Sequence, residues 1–222
     1  MIGASGHFAF RGVHAVQTAA AALAALLGQW NAEVAVFPNT VAELPEPQNF
    51  ADPSRLTLFL GALRREEDTA PFIAPLNRVL AQAKGRLAVD VVYDRATFDK
   101  LQTPHKAFAP LLPYQAYRAR MARCDIAFLP LAPTRFNGFK SDLKFVEAGA
   151  HRLCVIASPT VYANTIRPQE TGLVVDNPSR FETALTRLLA EPARARAMGD
   201  AARDWVRANR VLADHVQARL DW

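Results

Sequence analysis

Lys140, Lys144 and Glu147 stand four and three residues apart. On a helix that spacing puts all three side chains on one face. The preceding run, Phe136-Asn137-Gly138-Phe139-Lys140-Ser141-Asp142, holds a turn signal at Asn137-Gly138 and two helix-capping residue types at Ser141 and Asp142. A helix start with free N–H groups beside Lys140 is a ready anion site. The bland alternative is a solvated Lys–Glu stripe worth about a few tenths of a kcal/mol. Phe145 and Val146, on the same helix, are expected to face a sheet instead.

A second candidate lies at Phe59-Leu60-Gly61-Ala62-Leu63-Arg64-Arg65. Gly61 permits a close backbone approach, and Arg64 and Arg65 stand where a diphosphate could sit. Here the alternative is a plain strand-to-helix turn with surface arginines. Other chemistries lack their residues. The sequence has no Walker A loop, no G-x-G-x-x-G, no G-x-S-x-G nucleophile elbow and no histidine pair at metal-ligand spacing.

These loops need a scaffold. Apolar runs at 56–60, 87–92, 107–109, 126–129, 153–157 and 173–175 are candidate strands, and several are continuous rather than alternating. Continuous runs are expected where both faces of a strand are buried. Helices are predicted at 71–83, 96–101, 114–123, 142–151, 180–190, 193–209 and 213–220, with Pro71, Pro113, Pro178 and Pro192 at or just before helix starts. Alternating strands and helices with right-handed crossovers give an α/β fold, a doubly wound parallel sheet of six strands. Ligands of such sheets bind outside the carboxyl ends of the strands, where both candidate loops lie.

The opening differs. Thr18 is expected to cap a helix over 19–27 that Gly28 ends, a short strand follows at 33–37, and 40–53, with three prolines, reads as a linker. A helix, one strand and a linker cannot bury a core alone. The expected division is therefore a helix-strand appendage with linker at 1–53 and a Rossmann-like domain at 54–222.

Composition narrows the classes further. Half of the 222 residues are hydrophobic and 21% are charged, as in a soluble globular protein. No apolar run reaches the length of a membrane span, and the first residues lack the pattern of a secretory signal. Cys124 and Cys154 lie in or beside apolar runs and read as reduced core thiols, which suits a cytoplasmic protein. The net charge of +5 comes mainly from arginine, much of it in the C-terminal helices. It fits a solvated helix face, or a peripheral surface meeting the inner membrane or a lipid-linked acceptor. No aromatic–basic interleaving or recognition-helix pattern argues for nucleic acid.

Taken in order, several segments resemble the C-terminal, nucleotide-sugar-binding domain of retaining glycosyltransferases with the GT-B fold, glycosyl transferases group 1 type. Lys140-Ser141-Asp142-Leu143-Lys144-Phe145-Val146-Glu147 is similar to its K-S-x-x-K-x-x-E helix. Val155-Ile156-Ala157-Ser158 and Gly172-Leu173-Val174-Val175 resemble two of its strands, and Cys124-Asp125-Ile126-Ala127-Phe128-Leu129-Pro130 its A-D-I-x-L-x-P strand. Phe59-Leu60-Gly61-Ala62-Leu63 resembles the first strand and glycine loop, and Val16-Gln17-Thr18 with Val36-Phe37-Pro38-Asn39 the interdomain piece. Phe139 stands where many members carry a second acid.

The resemblance implies a donor site for a nucleotide diphosphate sugar such as a UDP-sugar. Glu147 then bonds the ribose hydroxyls, and the loop of Asn137, Gly138, Lys140 and Ser141 lies along the diphosphate and sugar. Arg64 or Arg65 neutralises phosphate, Lys144 shares the helix face with Glu147, and the loop 110–114, with Leu112 in it, frames the base. It implies glycosyl transfer in glycan or polysaccharide biosynthesis, with no cofactor or metal and no assigned catalytic residue. It also implies a partner, since the family's acceptor site lies in an N-terminal Rossmann domain for which the chain has no sequence. The other readings are a non-catalytic sugar-nucleotide or partner-docking module and, more weakly, a GT-B epimerase or phosphorylase.

Overall fold

The computed structural model describes residues 8–47, 54–61 and 63–222. In chain order the elements begin with α1 (Phe8–Arg11), β1 (Val16–Thr18), α2 (Ala21–Leu27) and β2 (Val34–Val36). The body follows as β3 (Leu56–Gly61), α3 (Glu66–Thr69), α4 (Ile73–Ala83), β4 (Leu87–Val92), α5 (Arg95–Lys100), β5 (Lys106–Ala109) and α6 (Tyr114–Met121). It continues with β6 (Ile126–Leu129), α7 (Arg135–Gly138), α8 (Leu143–Ala150), β7 (Cys154–Ala157), α9 (Pro159–Tyr162) and β8 (Gly172–Val174). Three helices close the chain: α10 (Pro178–Ala190), α11 (Pro192–Asn209) and α12 (Val216–Leu220).

All six body strands are parallel, in the order β5-β4-β3-β6-β7-β8. This is the doubly wound order of a dinucleotide-binding sheet, with its switch point between β3 and β6. Successive strand residues point to opposite faces, and each face has its own core. Leu58, Leu60, Phe128 and Ile156 join Leu76, Val79 and Phe181 on one side. Phe59, Ala127 and Val155 join Phe145, Val146, Ala202 and Val206 on the other. Burial on both faces explains the continuous apolar runs. Each such large side chain contributes about 1.5–3 kcal/mol by leaving water.

Two of the expected prolines sit at the first helical position, Pro178 of α10 and Pro192 of α11. Both cysteines are free and buried, and burial pushes the Cys154 thiol up to about 12. Gly199 lets α11 press against the loop before β7, because a Cβ there would meet the Arg152 carbonyl oxygen.

The opening departs from expectation. Val16–Thr18 is a strand paired parallel to β2, so Thr18 ends β1 instead of capping α2. The helix starts two residues later, at Ala21, with Ala20 in the cap position and no side-chain cap. Thr18 Oγ1 does accept the Ala20 amide at 3.4 Å. A three-residue strand carries too little periodicity to be read locally; a partner 18 residues away defines it. The expected linker is partly docked, since Val41 exchanges two backbone bonds, both 2.9 Å, with Arg210 and Leu212 just past α11. Its stretch 48–53 lies outside the described residues. Among the described residues no helix is long and apolar enough to cross a membrane.

Candidate functional site

The carboxyl ends of β3, β4 and β5 finish together, with Gly61 opposite Val92 and Val92 opposite Ala109. A pocket of about 390 Å³ opens beyond them, large enough for a small ligand. Gly61, Leu63 and Arg65 line one side, Val92 and Tyr93 the floor strand end, and Leu111, Leu112 and Tyr114 the loop after β5. Tyr117 from α6 and Lys144 and Glu147 from α8 complete it.

Local rules explain part of this. Phe145 and Val146 are buried against the sheet, so Lys144 and Glu147 are turned toward the strand ends. Lys144 Nζ lies 2.9 Å from Glu147 Oε2 and 3.0 Å from the Tyr117 hydroxyl. Burial alone would lower the Lys144 pKa, but Tyr117 and Glu147 outweigh it and the pKa is raised. Burial pushes the Tyr117 phenol up, and burial together with the neighbouring Glu147 carboxylate does the same for Tyr114. Both phenols therefore stay protonated near neutral pH. Glu147 is only 4% exposed; a carboxylate so buried requires a partner, and Lys144 is that partner.

Lys140 sits apart from this pair. The helix begins at Leu143, so the one-face spacing holds for Lys144 and Glu147 but not for Lys140. Its ammonium instead donates to Asn137 Oδ1 at 2.5 Å and lies 4.8 Å from the Phe136 ring centre. Partial burial and the nearby Arg65 cation lower its pKa. Arg65 is held by Asp68 at 2.9 Å, and Asp68 Oδ1 also accepts the Ala132 amide and Asn137 Nδ2. Arg65 and Lys140 thus lie close enough for one cation to disfavour the other, and the Asp68 carboxylate beside them offsets part of that repulsion.

Several expectations need correction. Asn137-Gly138 is not a free turn; it closes the single helical turn α7, which the Thr134 side chain caps, and Asn137 is buried. Gly138 lies there with nothing near its missing Cβ. Neither Ser141 nor Asp142 caps α8 with its side chain. Asp142 occupies the cap position, but its carboxylate binds Arg210 at 2.9 Å and Thr165 Oγ1 at 2.7 Å. Ser141 Oγ accepts a bond of 2.6 Å from Asn39. Arg64 is exposed, has a φ of +52° and does not line the pocket. The close approach that Gly61 permits is that of two rings, since a Cβ there would collide with Phe59 and lie 2.9 Å from Tyr117.

Of the predicted residues, Gly61, Arg65, Leu112, Lys144 and Glu147 meet in one pocket, while Arg64, Asn137, Gly138, Lys140 and Ser141 are not in its lining. Sequence reasoning missed Tyr117, Asp68 and Tyr93. A tyrosine three residues after Tyr114 on the following helix was a signal for Tyr117. Nothing local marks Tyr93, whose φ of +76° is visible only in the fold. Among the described residues no group of three His, Cys, Asp or Glu could hold a metal ion.

A Rossmann-type sheet whose carboxyl ends frame a partly apolar pocket with Arg65 and Lys144 in its lining has the form of a nucleotide-binding domain. Residues 64–221 match the family described as Glycosyl transferase-like, and the chain belongs to that family. Among solved structures it is similar to a TarM variant from S. aureus in complex with fondaparinux, alpha-GlcNAc-glycerol and UDP, at 11% identity and a TM-score of 0.76, over 98% of this chain and 46% of that one. It is also similar to sucrose-phosphate synthase from Thermosynechococcus elongatus, at 20% identity and a TM-score of 0.72, over 97% of this chain and 59% of that one. A third is the C-terminal domain of a glycosyl transferase group 1 family protein (LpcC) from Francisella tularensis, at 16% identity and a TM-score of 0.58, over 70% of this chain and 85% of that one. These likenesses are of fold. The chain spans about half the length of the first two. A search of the curated proteins returns no match.

Proposed function

We propose that this chain is the donor-binding domain of an enzyme that transfers a sugar from a nucleotide diphosphate sugar to an acceptor in glycan or polysaccharide biosynthesis. The observation that carries this is the convergence of Arg65, Lys144 and Glu147 on one pocket at the ends of β3, β4 and β5. In such a transfer the leaving nucleoside diphosphate gathers negative charge, and preorganised cations stabilise it. Arg65, Lys140 and Lys144 supply that charge. Glu147 takes the ribose hydroxyls, and Leu111, Leu112 and Tyr114 offer apolar and aromatic surface to the base. UDP in the TarM complex supports a nucleoside diphosphate here.

The charge compensation needs only side chains, so nucleotide binding is expected to be equally tight with magnesium and with a chelator. The acceptor site belongs to a partner Rossmann domain, and the arginine-rich surface fits a lipid-linked, anionic acceptor. Titration calorimetry with UDP and GDP tests the reading. Binding of one of them at micromolar to millimolar concentration is expected; no binding of any nucleoside diphosphate would remove the donor site.

A further inference from the structure

A lysine does not aim itself. Its ammonium sits on a flexible four-carbon stem, and rotamers frozen on binding cost affinity. In this pocket Lys144 is restrained before any ligand arrives, by Glu147 Oε2 at 2.9 Å and by the Tyr117 hydroxyl at 3.0 Å. The hydroxyl is restrained in turn, since it donates to the Gly61 carbonyl oxygen at 3.0 Å. The ring beneath is fixed edge-on against Phe59, with centroids 5.5 Å apart, and the Lys144 ammonium lies 4.5 Å from its centre. Gly61 has no room for a Cβ against these two rings, so the strand end is shaped to seat Tyr117.

An ammonium has three N–H donors. Tyr117 and Glu147 take two, and the third remains for the pocket that Lys144 lines with Tyr117, Glu147 and Gly61. Ring packing alone does not require a hydroxyl at this position; Phe would fill the same space. The hydroxyl's role is to accept from Lys144 while its own proton is anchored on Gly61, and burial keeps that proton in place.

The geometry points to Tyr117 as a positioning residue whose hydroxyl aims the Lys144 ammonium at the diphosphate of a bound nucleotide. It acts on the diphosphate through Lys144 and not on the nucleoside. This rests on the donor reading above.

The test is calorimetry with UDP and with uridine on the unsubstituted chain, Tyr117→Phe, Lys144→Met and the double variant, with thermal unfolding of each. Tyr117→Phe is expected to weaken UDP about fivefold, the scale of one lost hydrogen bond, and to leave uridine within about twofold. In the Lys144→Met background the same substitution should change UDP affinity by less than about twofold, because coupled residues are not additive. Equal losses for UDP and uridine would overturn the inference, as would a full Tyr117→Phe effect that persists without Lys144. A readout independent of nucleotide is the titration of the Lys144 ¹³Cε signal by NMR in the ¹³C-lysine-labelled chain, whose midpoint should fall in Tyr117→Phe; an unchanged midpoint would break the link. If the unsubstituted chain binds no nucleoside diphosphate, the donor reading fails and takes this one with it. If it binds UDP and Tyr117→Phe binds equally well, only the role of Tyr117 falls.

Discussion

Removing the Lys144 ammonium separates a donor site from a decorative ion pair. Lys144→Met keeps the length and apolar stem of the side chain but deletes the donor 2.9 Å from Glu147 Oε2 and 3.0 Å from the Tyr117 hydroxyl. Two effects follow. Glu147, 4% exposed, loses its cation, and breaking a buried pair in this way costs about 3–5 kcal/mol of stability. In a chain of this size that lowers Tm by about 2–4 °C per kcal/mol. The second effect is on binding. A charge-assisted phosphate contact is lost and an uncompensated carboxylate is left beside the diphosphate, so UDP affinity should fall by about 1–3 kcal/mol, which is about five- to 150-fold. Calorimetry with UDP at two salt concentrations reads this directly, and the salt dependence should weaken in the variant. If Lys144→Met loses stability but binds UDP within about twofold of the unsubstituted chain, the pair is structural and Lys144 is not a ligand.

Three further outcomes are expected. Arg210→Ala leaves Asp142, 9% exposed, without its cation; urea unfolding should show a loss of about 3–5 kcal/mol, recovered in part by the double variant Arg210→Met with Asp142→Leu. Phe181→Ala opens a void against Phe72 and Phe128, whose ring centroids lie 5.5 and 4.3 Å away; it should cost about 3–5 kcal/mol in stability while the folded variant binds UDP unchanged. His151 titrates at about 4 in the folded chain, lowered from 6.5 by burial first and then by Arg118 and Arg203. The unfolded chain therefore takes up a proton that the folded one refuses. The contribution of His151 is fully present above pH 6.5 and is lost as pH falls toward 4. A Tm profile across that window should be flatter for His151→Asn, and an identical profile would refute the assignment.

How much was legible beforehand depends on the range of each interaction. Ile126–Leu129 and Cys154–Ala157 were readable because a strand buried on both faces is apolar at every position, whatever surrounds it. Lys144 and Glu147 were readable as a pair because a helix brings residues three apart together without help from the rest of the fold. Lys140 shows the limit: the helix, expected from 142, begins at Leu143, so the one-face spacing never reaches Lys140 and what its ammonium meets is set by the loop before the helix.

Asp142 went the same way. Its type and position suit a cap, yet Arg210, 68 residues on, and Thr165, 23 on, claim its carboxylate. Tyr117 was missed for an allied reason. Its hydroxyl meets Gly61, 56 residues before it, and Lys144, 27 after it, and no local period records such partners. The sequence by itself determined the alternating apolar architecture, the Lys144–Glu147 pair and the glycine at the end of the first body strand. Tertiary structure alone decided what occupies the space beside that glycine and how Lys144 is held. The physical reason is that periodicity is a property of neighbouring residues, whereas a pocket is made where three strand ends and two helices from distant parts of the chain converge.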